Sequence, residues 1–147
     1  MADPIAQSID QYFASGYRCA ESVLLYVAES KNIQSDLIPK IATGFCGGVS
    51  RTRGTCGAVT GALMAINIFY GRNNPSAQLD QSYPPVQKFV KMFEDKFGSI
   101  NCMQLIDCDL STEEGRHKFL TENIIVTCKN FTCEATRMAL ALINEQI

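Results

Sequence analysis

The sequence predicts an all-α protein, and three observations carry that prediction. Apolar residues recur at three- and four-residue spacing through most of the chain, capping residues and glycines punctuate those stretches, and no segment sustains an alternation of period two. The 147 residues are read as one cysteine-rich helical domain, residues 1–147, large enough to bury roughly 70% of the surface of its unfolded chain.

The organising stretch is Gly54 to Gly71, 18 residues without a formal charge between Arg53 and Arg72. Thr55 can cap a helix over about 56–70, and Gly71 stands where a helix ends. Val59, Leu63, Ile66 and Tyr70 form an apolar stripe, and Gly57, Gly61 and Ala65 form a stripe of small residues. A helix apolar on nearly all sides is central and buried. Its length is marginal for a membrane span, and Gly57-x-x-x-Gly61 would suit helix pairing in lipid. Thr55, Thr60 and Asn67 dilute it, however, and no second such segment exists, so no transmembrane segment is expected. The two glycines serve better to let another helix backbone come close. They could do so between two copies of the chain, and a homodimer is the expected assembly.

Before this stretch, Asp3-Pro4 reads as cap and first residue of a helix whose face is Ile5, Ile9, Tyr12 and Phe13. A second helix follows Arg18-Cys19, with Ala20, Val23, Leu24, Val27 and Ala28 inward. A third is expected from Asp36 through Ile41 and Ala42 to Gly44. The loop GFCGGVSRTRG then leads into the central helix; it lacks the P-loop pattern, so its glycines are expected to pack around a cofactor or to turn the chain. Beyond the polar connection 71–83, Pro84-Pro85 opens a helix with Val86, Phe89, Val90, Phe93 and Phe97 on its core face, ending at Gly98. Ser99 can cap a short turn holding Cys102. Ser111-Thr-Glu-Glu114 matches a capping box for a helix carrying His117, which is expected to face solvent. The last helix is expected from near Thr127 to Asn144, with Cys128 inward and Cys133 rotated away from it.

The net charge of −2, without any basic run, lacks the footprint of a nucleic-acid binder, so no nucleic-acid partner is expected. The N-terminal MADPIAQSID has neither a basic nor an apolar region of a signal peptide, which makes the cytoplasm the expected compartment. In a reducing compartment, seven cysteines are read first as catalytic, metal-binding or redox-sensing. Cys56, at the start of the central helix with Arg51 and Arg53 upstream, stands where thiolate is favoured, and it is the expected catalytic residue. No C-x-x-C occurs, so thioredoxin-type, zinc-ribbon and haem-attachment motifs are excluded, and any metal site must be assembled from cysteines distant in sequence. Cys19, Cys56, Cys102 and Cys128 each precede an apolar helical stretch and are expected to meet at one point.

Cys56-Gly57-Ala58-Val59-Thr60-Gly61 resembles the Cys-Gly-Ala-x-x-Gly motif of the redox-active protein family labelled C_GCAxxG_C_C, whose members are about this long and carry four characteristic cysteines. Cys19 before the motif, Cys102 in GSINCMQL and Cys128 near the last helix extend the resemblance over nearly the whole chain. Cys46, Cys108 and Cys133 lie outside that set.

Three functions are then in view. The first is electron transfer or redox sensing through an iron–sulfur cluster, or otherwise zinc, on Cys19, Cys56, Cys102 and Cys128, with Gly47, Gly48, Gly54 and Gly57 packing around the cofactor and a redox partner that the sequence does not identify. The second is cofactor-free thiol–disulfide chemistry, with Cys56 working beside a neighbour such as Cys46. The third is a non-enzymatic module that binds a small anion on the glycine loop, Arg51 and Arg53.

Overall fold

The computed structural model describes residues 2–145. Their regular structure is helical: α1 (Pro4–Ala14), α2 (Cys19–Ser30), α3 (Cys46–Arg51), α4 (Gly57–Tyr70), α5 (Tyr83–Phe97), α6 (Cys102–Ile106), α7 (Glu113–Thr121) and α8 (Ile125–Asn144). No β-strand occurs among the described residues. One isolated antiparallel bridge pairs Thr55 with Asn101. The fold is all-α, as the sequence predicts, and among the described residues no helix is long and apolar enough to cross a membrane.

The helix starts follow the chemistry of the capping residues. Asp3 accepts hydrogen bonds from the Ile5 and Ala6 amides at 3.1 and 3.4 Å, satisfying orphan donors at the start of α1. Asn101 and Thr112 do the same for α6 and α7, each through a bond of 3.1 or 2.9 Å to the amide three residues on. The expected caps Ser99 and Ser111 are displaced by these neighbours: Ser99 braces Asn101 and Gln104, and Ser111 binds Asp109. α8 begins at Ile125, two residues before the expected start, and α4 is capped by Cys56 instead of Thr55. Gly98, at φ 86°, ends α5 in the left-handed conformation that glycine adopts at least cost.

One expected helix is absent. Asp36 to Gly44 forms turns and a short 3₁₀ segment, Lys40–Phe45, because Pro39 supplies no amide and disfavours helical geometry at Ile38.

The core lies between α2, α4, α5 and α8. α4 buries Gly57, Ala58, Val59, Gly61, Ala62, Ala65 and Ile66, with Asn67 and Ile68 turned outward. A β-carbon on Gly61 would sit 2.5 Å from the carbonyl oxygen and 2.8 Å from the Cα of Ala20, so the small-residue face lets α2 and α4 meet backbone to backbone. Phe89 and Phe93 of α5 are fully buried, and Phe97 meets Phe131 of α8 edge to face at 4.8 Å. The Tyr70 hydroxyl donates to the Leu142 carbonyl at 2.8 Å, tying the end of α4 to α8. α1 packs across α8 through Ile9 and Phe13, which close over Cys133; ion pairs of Asp10 with Lys129 and Asp3 with Arg137 flank that contact.

Candidate functional site: a cysteine-lined cavity

The Gly-rich segment before α4 takes an unusual path. Gly47, Gly48, Val49, Ser50 and Arg51 all have positive φ, between 56° and 70°, so α3 is a left-handed turn. For a non-glycine residue this hand costs about 1–2 kcal/mol, and Val49, Ser50 and Arg51 bear it. The turn is held from outside. The Ser50 hydroxyl donates to the Gly44 carbonyl at 2.7 Å, the Gly54 amide to the Gly48 carbonyl at 2.8 Å, and the Thr52 hydroxyl to the Val49 carbonyl at 2.7 Å. Gly48 leaves no room for a side chain: its β-carbon would lie 2.6 Å from Cys102 Cβ.

Immediately after the turn, the chain pairs with the segment leading into α6. The Cys56 amide donates to the Ile100 carbonyl at 2.7 Å, and the Cys102 amide to the Gly54 carbonyl at 3.0 Å. These two bonds flank the Thr55–Asn101 bridge and fix the start of α6 beside the start of α4.

The result is a cavity of about 690 Å³ lined by Cys19, Cys46, Cys56, Cys102 and Cys128, together with Arg18, Arg51 and Arg116 and an apolar wall that includes Leu105, Ile106, Phe119 and Phe131. All seven cysteines are free thiols. The four expected at a shared site thus face one cavity, and Cys46 joins them. Cys19 and Cys102 are the first residues of α2 and α6, Cys56 is the cap of α4, and Cys128 sits one turn into α8. Cys108 is turned elsewhere, its buried thiol donating to the Gly115 carbonyl at 2.9 Å. Cys133 packs with Ile9 and Phe13 and does not line the cavity.

Within the cavity the thiols form two groups. Cys46 and Cys19 are neighbours, the Cys46 Cα and the Cys19 sulfur lying 3.2 and 2.3 Å from the point a β-carbon on Gly57 would occupy, and the nearby Cys19, then burial, push the Cys46 thiol pKa strongly upward. The Cys46 sulfur also lies 3.7 Å from Glu21 Oε1, a carboxylate that accepts from the Arg18 amide and the Thr43 hydroxyl. The second group is Cys56, Cys102 and Cys128. Burial raises Cys56 to about 11; the Ala58 and Val59 amides at the start of α4 pull the other way, and the charge of Cys102 adds to the rise. The helix start therefore acts on Cys56 as expected from the sequence, but burial outweighs it. Arg53 contributes nothing there, since it points to Asp109 at 3.4 Å. Burial, then the charge of Cys108, raises Cys102 to about 11, and burial, then the charges of Cys56, Cys102 and Cys108, raises Cys128 to about 12.

The glycines serve the walls. Gly47 and Gly57 line the cavity, and a β-carbon on Gly57 would fall 3.2 Å from the Cys46 Cα. Gly54 carries the bond to Cys102 and leaves no space beside Val49, where a β-carbon would fall at 2.7 Å. Arg18 and Arg116 are the site residues that the sequence reading left out, and nothing local marks either as one. Cys46 was expected as a neighbour of Cys56 in the thiol–disulfide alternative, and the structure sets it beside Cys19.

The donor set, soft thiols from four helices, suits zinc or an iron–sulfur cluster. The spacing does not: among the described residues no three His, Cys, Asp or Glu side chains gather closely enough to hold a metal ion.

Five cysteines and three arginines line one cavity of this all-helical, cysteine-rich protein. The model of the family described as "Putative redox-active protein (C_GCAxxG_C_C)" matches residues 17–142, and the chain belongs to that family. No curated protein and no solved structure matches it.

Proposed function

We propose that this protein works by dithiol–disulfide exchange, with Cys19 and Cys46 as the pair that changes oxidation state. The observation that carries the reading is the closeness of Cys19 and Cys46 inside the cavity, where the Cys19 sulfur and the Cys46 Cα lie 2.3 and 3.2 Å from one point, the position a β-carbon on Gly57 would take. Cys19 begins the twelve-residue helix α2. It attacks one sulfur of a substrate disulfide, forms a mixed disulfide and expels the other half as a thiol. Cys46 then passes its proton to Glu21 and attacks Cys19 Sγ, releasing the second half. Two electrons leave the protein dithiol, one protein disulfide forms, and one substrate disulfide becomes two thiols. The same steps in reverse return the protein to the dithiol.

The test treats reduced protein with hydroxyethyl disulfide and maps disulfides without reduction. A Cys19–Cys46 link is expected, and Cys46→Ser should trap a lasting mixed disulfide on Cys19. A protein in which neither cysteine oxidises, or in which the link joins Cys56 to Cys102 instead, sinks this assignment.

A second reading, a metal centre on Cys19, Cys56, Cys102 and Cys128, is supported by the way these four line one cavity. It requires the thiols to draw closer together than they stand. Anaerobic purification with an absorption spectrum and iron, sulfide and zinc assays decides it: stoichiometric metal lost in all four single serine variants supports it, and metal-free protein removes it.

A further inference from the structure

We infer that the cavity selects an anionic, low-molecular-weight thiol or disulfide whose carboxylates meet Arg18, Arg51 and Arg116 while its carbon skeleton lies on the apolar wall. The nature of the reaction that follows rests on the dithiol reading above; the charge preference stands on the cavity itself.

Three guanidinium groups line this one cavity, in a chain with net charge −2. Among the described residues no aspartate or glutamate lines it, and none of the three arginines forms an ion pair, whereas Arg53 and Arg137 do. Arg18 donates to the carbonyls of Phe13 and Tyr17 at 3.4 and 2.9 Å, and Arg116 to that of Leu110 at 3.0 Å, contacts that orient each group without neutralising it. Arg51 has no side-chain hydrogen bond or ion pair among the described residues. Glu21, the carboxylate 3.7 Å from the Cys46 sulfur, is occupied by Arg18 N–H, Thr43 and Cys46. Uncompensated charge in a concave, partly apolar site focuses the field and raises the local concentration of anions.

Size argues for an organic ligand over a bare ion. A volume of about 690 Å³ lies within the range of small-molecule pockets, which combine apolar lining with a few charged groups. Arginine suits the purpose, since its planar fork matches a carboxylate in two parallel hydrogen bonds. The five thiols supply the remaining requirement, a sulfur partner within the same space.

The test alkylates the reduced protein with iodoacetate and with iodoacetamide, reagents alike in chemistry and different in charge, and reads Cys19 and Cys46 by mass spectrometry. Each rate is divided by that of a free cysteine amide. The expected result is a shift of roughly tenfold in favour of iodoacetate, shrinking with added salt, lost in Arg51→Gln and Arg116→Gln, and retained in Arg51→Lys. The same normalisation is then applied to oxidation by dithiodipropionate, hydroxyethyl disulfide and cystamine, which carry charges of opposite sign or none; the dianion should be fastest and the dication slowest. A flat alkylation ratio overturns the inference even if the three disulfides oxidise the Cys19–Cys46 pair, and in that case the dithiol reading survives. An anion preference in alkylation, with no disulfide formed from any of the three, leaves the inference standing and removes the dithiol reading.

Discussion

Gly57 and Cys19 are in direct contact across the interface of α4 with α2: a β-carbon placed on Gly57 would lie 2.3 Å from the Cys19 sulfur. The missing side chain is what gives that sulfur its place beside Cys46.

Gly57→Ala sets two effects against each other. Helix propensity favours alanine by about 1 kcal/mol, while overpacking at a buried contact costs about 1–3 kcal/mol. Net destabilisation is expected in denaturant melts, together with a changed alkylation rate at Cys19. A variant that melts above the parent with Cys19 reacting as before shows that the sulfur has free space.

Gly61→Ala should be the more costly of the two substitutions, because its β-carbon meets the backbone of Ala20 and not a side chain that can rotate. The expected loss is about 1–3 kcal/mol, most of it unrecoverable without moving α2 away from α4. An unchanged denaturation midpoint contradicts the close packing of these helices.

Stability should fall at alkaline pH. Unfolded thiols ionise near pH 8.5, whereas Cys56 and Cys102 are pushed up to about 11 and Cys128 to about 12. Between these limits the unfolded chain has given up protons that the folded one still holds, so stability present below about pH 8.5 is lost as the pH rises towards the folded values. Melting temperature under anaerobic, reducing conditions should drop between pH 8 and 10.5, and the slope should be shallower in Cys128→Ala. A slope identical in that variant would remove the buried thiol from the account.

Ser22 offers the opposite outcome. Its hydroxyl is fully buried and has no hydrogen-bond partner among the described residues. Removing an unpaired buried polar group relieves its desolvation cost, so Ser22→Ala should leave stability unchanged or raise it by up to about 1–3 kcal/mol. A clear drop in the denaturant midpoint would reveal a partner for that oxygen.

Cys133→Ser should separate stability from chemistry. The new hydroxyl would sit against Ile9 and Phe13, at a cost of about 1–3 kcal/mol if left unpaired, while disulfide mapping of Cys19 and Cys46 should be unaffected. Loss of that link in the folded variant would connect Cys133 to the redox site.

Much of this architecture was legible because it is written in local chemistry. Asp3-Pro4 and Gly98 mark their helix boundaries through capping and backbone freedom, and the stripe Phe89, Phe93, Phe97 declares a core face at helical spacing. The small-residue face of α4 likewise announced a close neighbour. What could not be read depends on contacts between distant parts. Nothing in Val49-Ser50-Arg51 favours a left-handed path; it is imposed by bonds to Gly44 and Gly54 and by the packing of Gly48 on Cys102. The pairing of Cys46 with Cys19 follows from that path, and the burial that outweighs the helix start at Cys56 follows from the whole cavity. Arg116, on a short polar helix, lines the cavity with its side chain bonded to the Leu110 carbonyl, a placement that nothing local announces.

The left-handed turn also has a consequence for the order in which the molecule acquires its shape. A turn whose last three residues run against their own conformational preference cannot act as a seed; it forms only where other elements already stand ready to receive it. Its contacts come from Cys102, the Gly54 amide and the Gly44 carbonyl, so the wall carrying Cys46 is expected to close late in folding and to open early in fluctuation. Amide hydrogen exchange should register this as weak protection across residues 47–52 beside strong protection in α4, making the half of the thiol pair on that wall the moving partner and Cys19 the fixed one.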